Sequence, residues 1–401
     1  MFRPIRVLKF GAVLYLITGC ASGGTAHDSN RTDASATNAA VHATATITKT
    51  ESRFTAPAAI PSIQAGSSTP GMSGFTQDNG QLKPDIQAYA NEVARTRNIP
   101  QRELEALLRN AQYNTTAVRL MTPSKTRIRR SWVTYRERFV EPVRLKAGVE
   151  FWQQHAKQLS QTERQYGVPA SVIVAIIGVE TIFGRYTGDF RVLDALTTLG
   201  FRYPDASRPE RSQLFRDQLA DLAQLHHEKK LDAYTVTGSF AGAMGLPQFM
   251  PGSLLRYAVD GDGDGRIDLL DSPADAITSV ASFLRYHGWV PGLPIFAPVQ
   301  LPAQPQKLVA GGIDPTLNWQ TLVENGATIR SDAKTMAWKD HKLGVIDLVD
   351  EPRNTVEYRT GTPNFFAITH YNRSYFYATA VTELAEALAK RMTRDQERQT
   401  N

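Results

Sequence analysis

Val172-Ile173-Val174-Ala175-Ile176-Ile177-Gly178-Val179-Glu180-Thr181-Ile182-Phe183-Gly184 is an apolar run with one carboxylate set inside it. By periodicity alone the β-branched run suits a buried strand or a buried helix. The entry Pro169-Ala170-Ser171 and the helical patterns on either side favour the helix, with Pro169 as a first-turn residue. A carboxylate in such a run is costly unless it is protonated, paired or useful. Burial disfavours its charged form and raises its pKa. A carboxyl group kept protonated near neutral pH can give its proton to a leaving group. The bland alternative is a capped or paired glutamate at a helix end.

Upstream, residues 1–19 carry Arg3, Arg6 and Lys9, then an apolar stretch from Phe10 to Ile17. This reads as a signal peptide, with a core too short to span as a stable helix. It ends in Ile17-Thr18-Gly19-Cys20, and Cys20 is the one cysteine in 401 residues, so no intramolecular disulfide framework exists. The order aliphatic, small, Gly, Cys resembles a bacterial lipobox, in which the cysteine is lipidated. Lipid on Cys20 would anchor the chain without a transmembrane helix. Ala21 follows where an aspartate would favour inner-membrane retention, so the expected place is the outer membrane, on its periplasmic face. Residues 20–82 are rich in Ala, Thr, Ser, Gly and Pro and read as a disordered linker after the cysteine.

The formal net charge is +6, or +3 once Arg3, Arg6 and Lys9 are removed with the leader. That modest basicity suits an anionic wall or membrane surface. Lys125, Arg127, Arg129 and Arg130 form a basic run without interleaved aromatics, which reads as a solvated face and not as a nucleic-acid site.

Residues 83–394 are the expected folded region. Asp85 to Ala111, Lys146 to Tyr166, Gln213 to His227, Ser272 to His287 and Phe376 to Met392 have helical spacing. Leu343 to Val349, Thr355 to Arg359 and Phe365 to Ile368 are short β-like runs separated by Pro, Asn and Gly. The expected class is therefore α+β and mostly helical. A helical part covers about 83–145, a core about 146–292 with 371–394, and a small β insertion about 293–370.

Two further motifs carry chemistry. Asp260, Asp262 and Asp264 stand at positions 1, 3 and 5 of an EF-hand-like loop, with Gly265 at 6 and Ile267 at 8. Arg266 would offer its backbone carbonyl. Position 12 is Asp271 instead of the usual glutamate, and Asp275 is a rival closing ligand. One such loop points to a structural calcium ion; the alternative is a solvated Asp/Gly turn. The segment Gly238 to Pro251 is rich in small residues that permit close approach of a ligand or of a packed helix. Gln248 within it offers donors and acceptors.

Taken in this order, the motifs resemble those of the membrane-bound lytic murein transglycosylase B family, with a lysozyme-like core. Ile176-Ile177-Gly178-Val179-Glu180-Thr181 with Gly184 matches that family's catalytic helix, and Ser239 to Pro251 its glycan-binding segment. The aspartate loop matches its single EF-hand. His287-Gly288-Trp289 and the stretch Ile368 to Ser374 match as well. The resemblance covers about residues 85–392. It implies Glu180 as acid and then base. It implies Tyr135, Ser239, Gln248, Phe283, Tyr371 and Asn372 as substrate-binding residues, Tyr371 also helping to orient Glu180. Phe283 stands where the family pattern often has tyrosine, so stacking survives and a hydroxyl is lost. Tyr203 to Arg211 is longer than the family pattern; Arg208 and Arg211 are candidates for a peptide-stem carboxylate, with surface arginines the default reading.

The resemblance implies peptidoglycan glycan strands as substrate, with cell-wall synthesis or division proteins as candidate partners. Asp189 and Asp194, the nearest later acids, belong to no comparable motif. With one carboxylate the substrate must assist, closing a 1,6-anhydro ring on N-acetylmuramic acid as its bond to N-acetylglucosamine breaks. A hydrolytic muramidase and a non-catalytic murein-binding lipoprotein are the alternatives.

Overall fold

The computed structural model describes residues 74–124 and 126–400. The leader at 1–19, Cys20, the linker as far as residue 73 and Lys125 lie outside the described residues. The decisive run is a helix, Ala170–Thr181, with every residue buried except Ser171. A helix apolar all round must sit inside the protein, because no face of it suits water. Burying each Ile or Val is worth roughly 1.5–3 kcal/mol, which overrides the weak helix propensity of β-branched residues. Pro169 is its N-cap and lies outside the first turn. The Ala170 amide donates to Glu163 Oε2 at 3.2 Å.

Among the described residues six helices precede it: α1 (Pro84–Arg97), α2 (Gln101–Asn110), α3 (Thr115–Met121), α4 (Trp132–Phe139), α5 (Pro142–Gln154) and α6 (Ala156–Tyr166). The buried run is α7. After it come the short strand β1 (Phe190–Arg191), α8 (Val192–Phe201), α9 (Pro209–His227), β2 (Thr237–Gly238), α10 (Pro251–Tyr257) and α11 (Pro273–Tyr286). The chain then passes through β3 (Val299–Gln300), α12 (Trp319–Glu324), β4 (Thr328–Ile329), β5 (Gly344–Asp350) and β6 (Thr355–Gly361). It closes with α13 (Pro363–Thr369) and α14 (Tyr375–Thr400). The three sheets among the described residues are antiparallel pairs, β1–β2, β3–β4 and β5–β6. The mostly helical α+β class is as expected.

One core runs from Phe75 to Leu388, and α14, α5, α6 and α11 all pack on α7 within it. A second, smaller core from Leu293 to Val345 gathers around Trp338 and Leu322. The β5–β6 hairpin reaches back to the main body. Asp350 at its tip accepts from the Val133 amide at 3.0 Å and the Ser131 hydroxyl at 2.9 Å. The hairpin therefore fixes the start of α4, which carries Tyr135.

Four further readings are corrected. Residues 74–82, placed in the linker, are packed: Phe75 is fully buried under the Arg202 guanidinium, and Thr76 bridges Leu82. Phe365 to Ile368 is not a strand but lies in α13, where the Thr362 side chain caps the Asn364 amide and Pro363 fits the first turn. Lys146 to Tyr166 is two helices meeting at His155, whose ring packs on Phe151. Arg211 is not a surface arginine; it is 6% exposed, and its Nε donates to the Tyr203 hydroxyl at 3.3 Å.

Candidate active site

The last turn of α7 delivers Glu180, and the chain then breaks sharply. Ile182, Phe183 and Gly184 all have positive φ, at 49°, 58° and 84°. Two non-glycine residues in this region, one β-branched, are costly and persist only where the surroundings hold them. What holds them is visible. The Phe183 ring lies over Gly178, where an added Cβ would sit 2.6 Å from Phe183 Cζ. The Thr181 hydroxyl donates to the Leu246 carbonyl at 3.0 Å and accepts from the Gly184 amide at 3.0 Å. Buried Arg144 donates from Nε to the Gly178 carbonyl at 2.9 Å, at the negative end of the helix.

Glu180 is 6% exposed. Burial pushes its carboxyl up to about 7, opposed by one hydrogen bond from the Tyr377 hydroxyl. That hydroxyl donates to Glu180 Oε1 at 2.5 Å. Burial and the neighbouring Glu180 push the Tyr377 phenol well above its ordinary value, so it stays a donor throughout the useful pH range. Asp194, the nearest buried acid in sequence, is occupied elsewhere: it accepts from the Gln112 amide at 2.7 Å and from Arg191 Nε at 2.9 Å. Asp189 is exposed.

The sequence reading gave the orienting role to Tyr371. In the structure the Tyr371 hydroxyl donates instead to the Pro247 carbonyl, at 2.8 Å, and its ring stacks on Tyr377 at 6.4 Å. Tyr377 was the missed residue. Its signal was present, since Tyr377, Val381, Leu384 and Leu388 share the buried face of α14, and a buried phenol needs a partner for its hydroxyl.

The segment from Ser239 to Phe249 is bound to the end of α7 by Thr181 and to Tyr371 by Pro247. Ser239 is buried, and its Oγ accepts from the Ala243 amide at 3.0 Å. Gln248, with φ 51°, gives its amide protons to the Thr187 and Gly245 carbonyls, each at 3.0 Å. Its side-chain oxygen accepts no bond from the described residues. Gly245 is glycine because a Cβ there would meet the Leu269 carbonyl oxygen at 2.1 Å. The Phe283 ring lies 4.7 Å from Tyr371 and 5.6 Å from Phe249. Tyr135 packs on Phe376 at 5.5 Å. Asn372 is buried beside Tyr371.

Between α10 and α11, carboxylate oxygens of Asp260, Asp262 and Asp264 lie within 4.8 Å of one another. Backbone amides of the loop preshape it, with Gly263 and Gly265 donating to the two Asp260 oxygens at 2.6 and 2.8 Å. Asp271 and Asp275 are not in this cluster. Asp275 is 1% exposed and accepts from the Gly261 and Asp268 amides at 2.7 and 2.6 Å, bracing the loop from inside. A tight set of hard carboxylate oxygens on a glycine-turned loop fits calcium.

A model of the Transglycosylase SLT domain matches residues 81–386. The chain belongs to this family. The transglycosylase is 35% identical over 316 residues to the membrane-bound lytic murein transglycosylase B of Escherichia coli K12, covering 76% of this chain and 83% of that one. It is similar to the crystal structure of soluble lytic transglycosylase SltB1 from Pseudomonas aeruginosa, at 40% identity and a TM-score of 0.68, over 77% of this chain and all of that one. It is also similar to the Escherichia coli lytic transglycosylase Slt35, solved with calcium and with bulgecin A. That match has 35% identity and a TM-score of 0.65, over 76% of this chain and 93% of that one. The protein is thus a lytic transglycosylase of peptidoglycan with a lysozyme-like fold.

Proposed function

We propose that the transglycosylase cleaves the β-1,4 bond between N-acetylmuramic acid and N-acetylglucosamine with Glu180 as its one acid and base. The observation that carries this is the buried Glu180 carboxyl, raised to about 7 by burial and held by the Tyr377 hydroxyl. In the first step protonated Glu180 gives its proton to the glycosidic oxygen, and the N-acetyl oxygen of the muramic residue attacks C1 as the C1–O bond breaks. In the second step ionised Glu180 takes the proton of the 6-hydroxyl. O6 attacks C1, the bond from C1 to the acetyl oxygen breaks, and a 1,6-anhydro ring closes. The carboxyl ends as it began and no water is consumed. Two steps of opposite protonation suit a group poised near neutral pH. Tyr377 supports both, because its hydrogen bond fixes the carboxyl in place and strengthens as Glu180 ionises.

Tyr135, Ser239, Gln248, Phe283, Tyr371 and Asn372 hold the sugars in this reading, with Phe283 and Tyr371 supplying ring faces and Gln248 an acceptor for an N-acetyl amide. Asp260, Asp262, Asp264 and the Arg266 carbonyl would hold calcium, which would neutralise the loop and brace α10 against α11. Lipid on Cys20 holds the enzyme to the outer membrane, on its periplasmic face.

Mass spectrometry of products released from murein sacculi tests the chemistry. Muropeptides with 1,6-anhydro ends, absent with Glu180→Gln, are the expected result. Products one water heavier would mean a hydrolase.

A further inference from the structure

Tyr286 is 60% exposed, at the C-terminal end of α11. It is not isolated. Its ring lies 4.7 Å from Tyr257, and Tyr257 lies 5.2 Å from Phe283. Phe283 in turn lies 4.7 Å from Tyr371, which stacks on the Tyr377 ring that bonds Glu180. His287 packs beneath this row, 4.3 Å from Phe283, 5.1 Å from Tyr257 and 5.3 Å from Tyr286. An unbroken line of aromatic rings thus leads from the buried carboxyl to the surface. Exposing a tyrosine ring to this degree contributes little to the core, and an exposed aromatic continuous with the rings around the carboxyl offers a binding surface.

We infer that Tyr257 and Tyr286 form an outlying sugar subsite, which receives an N-acetylated aminosugar of the glycan strand remote from the bond that is cut. The inference rests on the proposed glycan cleavage. The ligand class follows from the chemistry of the row. Arg285 spends its guanidinium on the Trp289 carbonyl at 2.6 Å, and Arg256 lies over the Tyr257 ring at 5.9 Å with Asp221 3.5 Å away, so the exposed Tyr286 ring is the face that meets the ligand. A pyranose presents a C–H face that stacks on such a ring. Each step from ring to ring is comparable to one step along a glycan. Binding far from the scissile bond favours long strands over short ones.

The test compares chitohexaose with chitotriose by calorimetry in the Glu180→Gln enzyme, which binds without turnover. Adding Tyr286→Ala is expected to lower the ratio of hexaose to triose affinity about three- to tenfold, the scale of one aromatic stacking contact. Tyr286→Phe is expected to keep the ratio. An unchanged ratio in Tyr286→Ala, including an equal loss for both sugars, overturns the subsite. The parent reading fails separately: wild-type enzyme that releases no anhydro products while the ratio still falls leaves the subsite standing and the chemistry wrong.

Discussion

A carboxyl held protonated to about pH 7 in the folded protein, against an ordinary 4.5 in the unfolded chain, makes stability depend on pH. Between those values the unfolded chain releases the proton and the folded one keeps it, so stability falls as pH rises. Below about 4.5 both states are protonated and nothing is lost; above about 7 the full penalty applies, about 3 kcal/mol. Glu180→Gln has no proton to lose. It should match wild type near pH 4 and exceed it by about 3 kcal/mol near pH 8, read from urea unfolding at both pH values. A pH-independent difference would contradict the buried-acid reading. Tyr377 makes the complementary case. Its hydroxyl lowers the Glu180 pKa against burial, so Tyr377→Phe should move the basic limb of the kcat/KM profile upward, by about one unit. It should also cut kcat about ten- to a hundredfold, because the ionised glutamate loses its partner. A lowered kcat with an unmoved limb would assign Tyr377 a packing role instead.

At the scale of elements, α10, the aspartate loop and α11 act as one unit, because Asp275 in the first turn of α11 holds the Gly261 and Asp268 amides. Closing the loop on calcium should therefore stiffen the helix that carries Phe283. Calcium at about a hundred times its dissociation constant adds about 2.7 kcal/mol of stability. Excess chelator should lower Tm by several degrees, and Asp264→Asn should abolish that response. An unchanged Tm on chelation would refute the calcium loop.

The same elements show what was legible. The aspartate loop and α7 were readable because few physical solutions fit fixed ligand spacing or an unbroken apolar run. Phe365 to Ile368 was misread because four apolar residues carry no usable period. The Thr362-Pro363 start was the better clue, and Asn364 settles the helix through its bonds to the Val290 and Leu293 carbonyls at 2.9 and 2.7 Å. Phe75 was hidden in a polar stretch, and only the tertiary contact with Arg202 reveals its place. The Glu180–Tyr377 bond joins positions 197 residues apart, a pairing that local spacing does not encode.

For the whole molecule the question is how a folded enzyme meets a wall that lies away from the membrane. Among the described residues no helix is long and apolar enough to cross a bilayer. The relative in Escherichia coli is nonetheless named as membrane-bound. The proposed lipid on Cys20 reconciles these facts, since acyl chains anchor without a spanning segment. The 54 residues between Cys20 and Phe75, the first buried residue among those described, would span at most about 190 Å. The active site can then leave the membrane plane while the enzyme stays captive. Cys20→Ser tests the anchor without touching the site. Fractionation of cells should move the protein from the membrane to the soluble fraction, and the purified variant should release anhydro-muropeptides from isolated sacculi at the wild-type rate. Retention of the serine variant in the membrane fraction would remove Cys20 from the account and place the membrane attachment elsewhere in the chain.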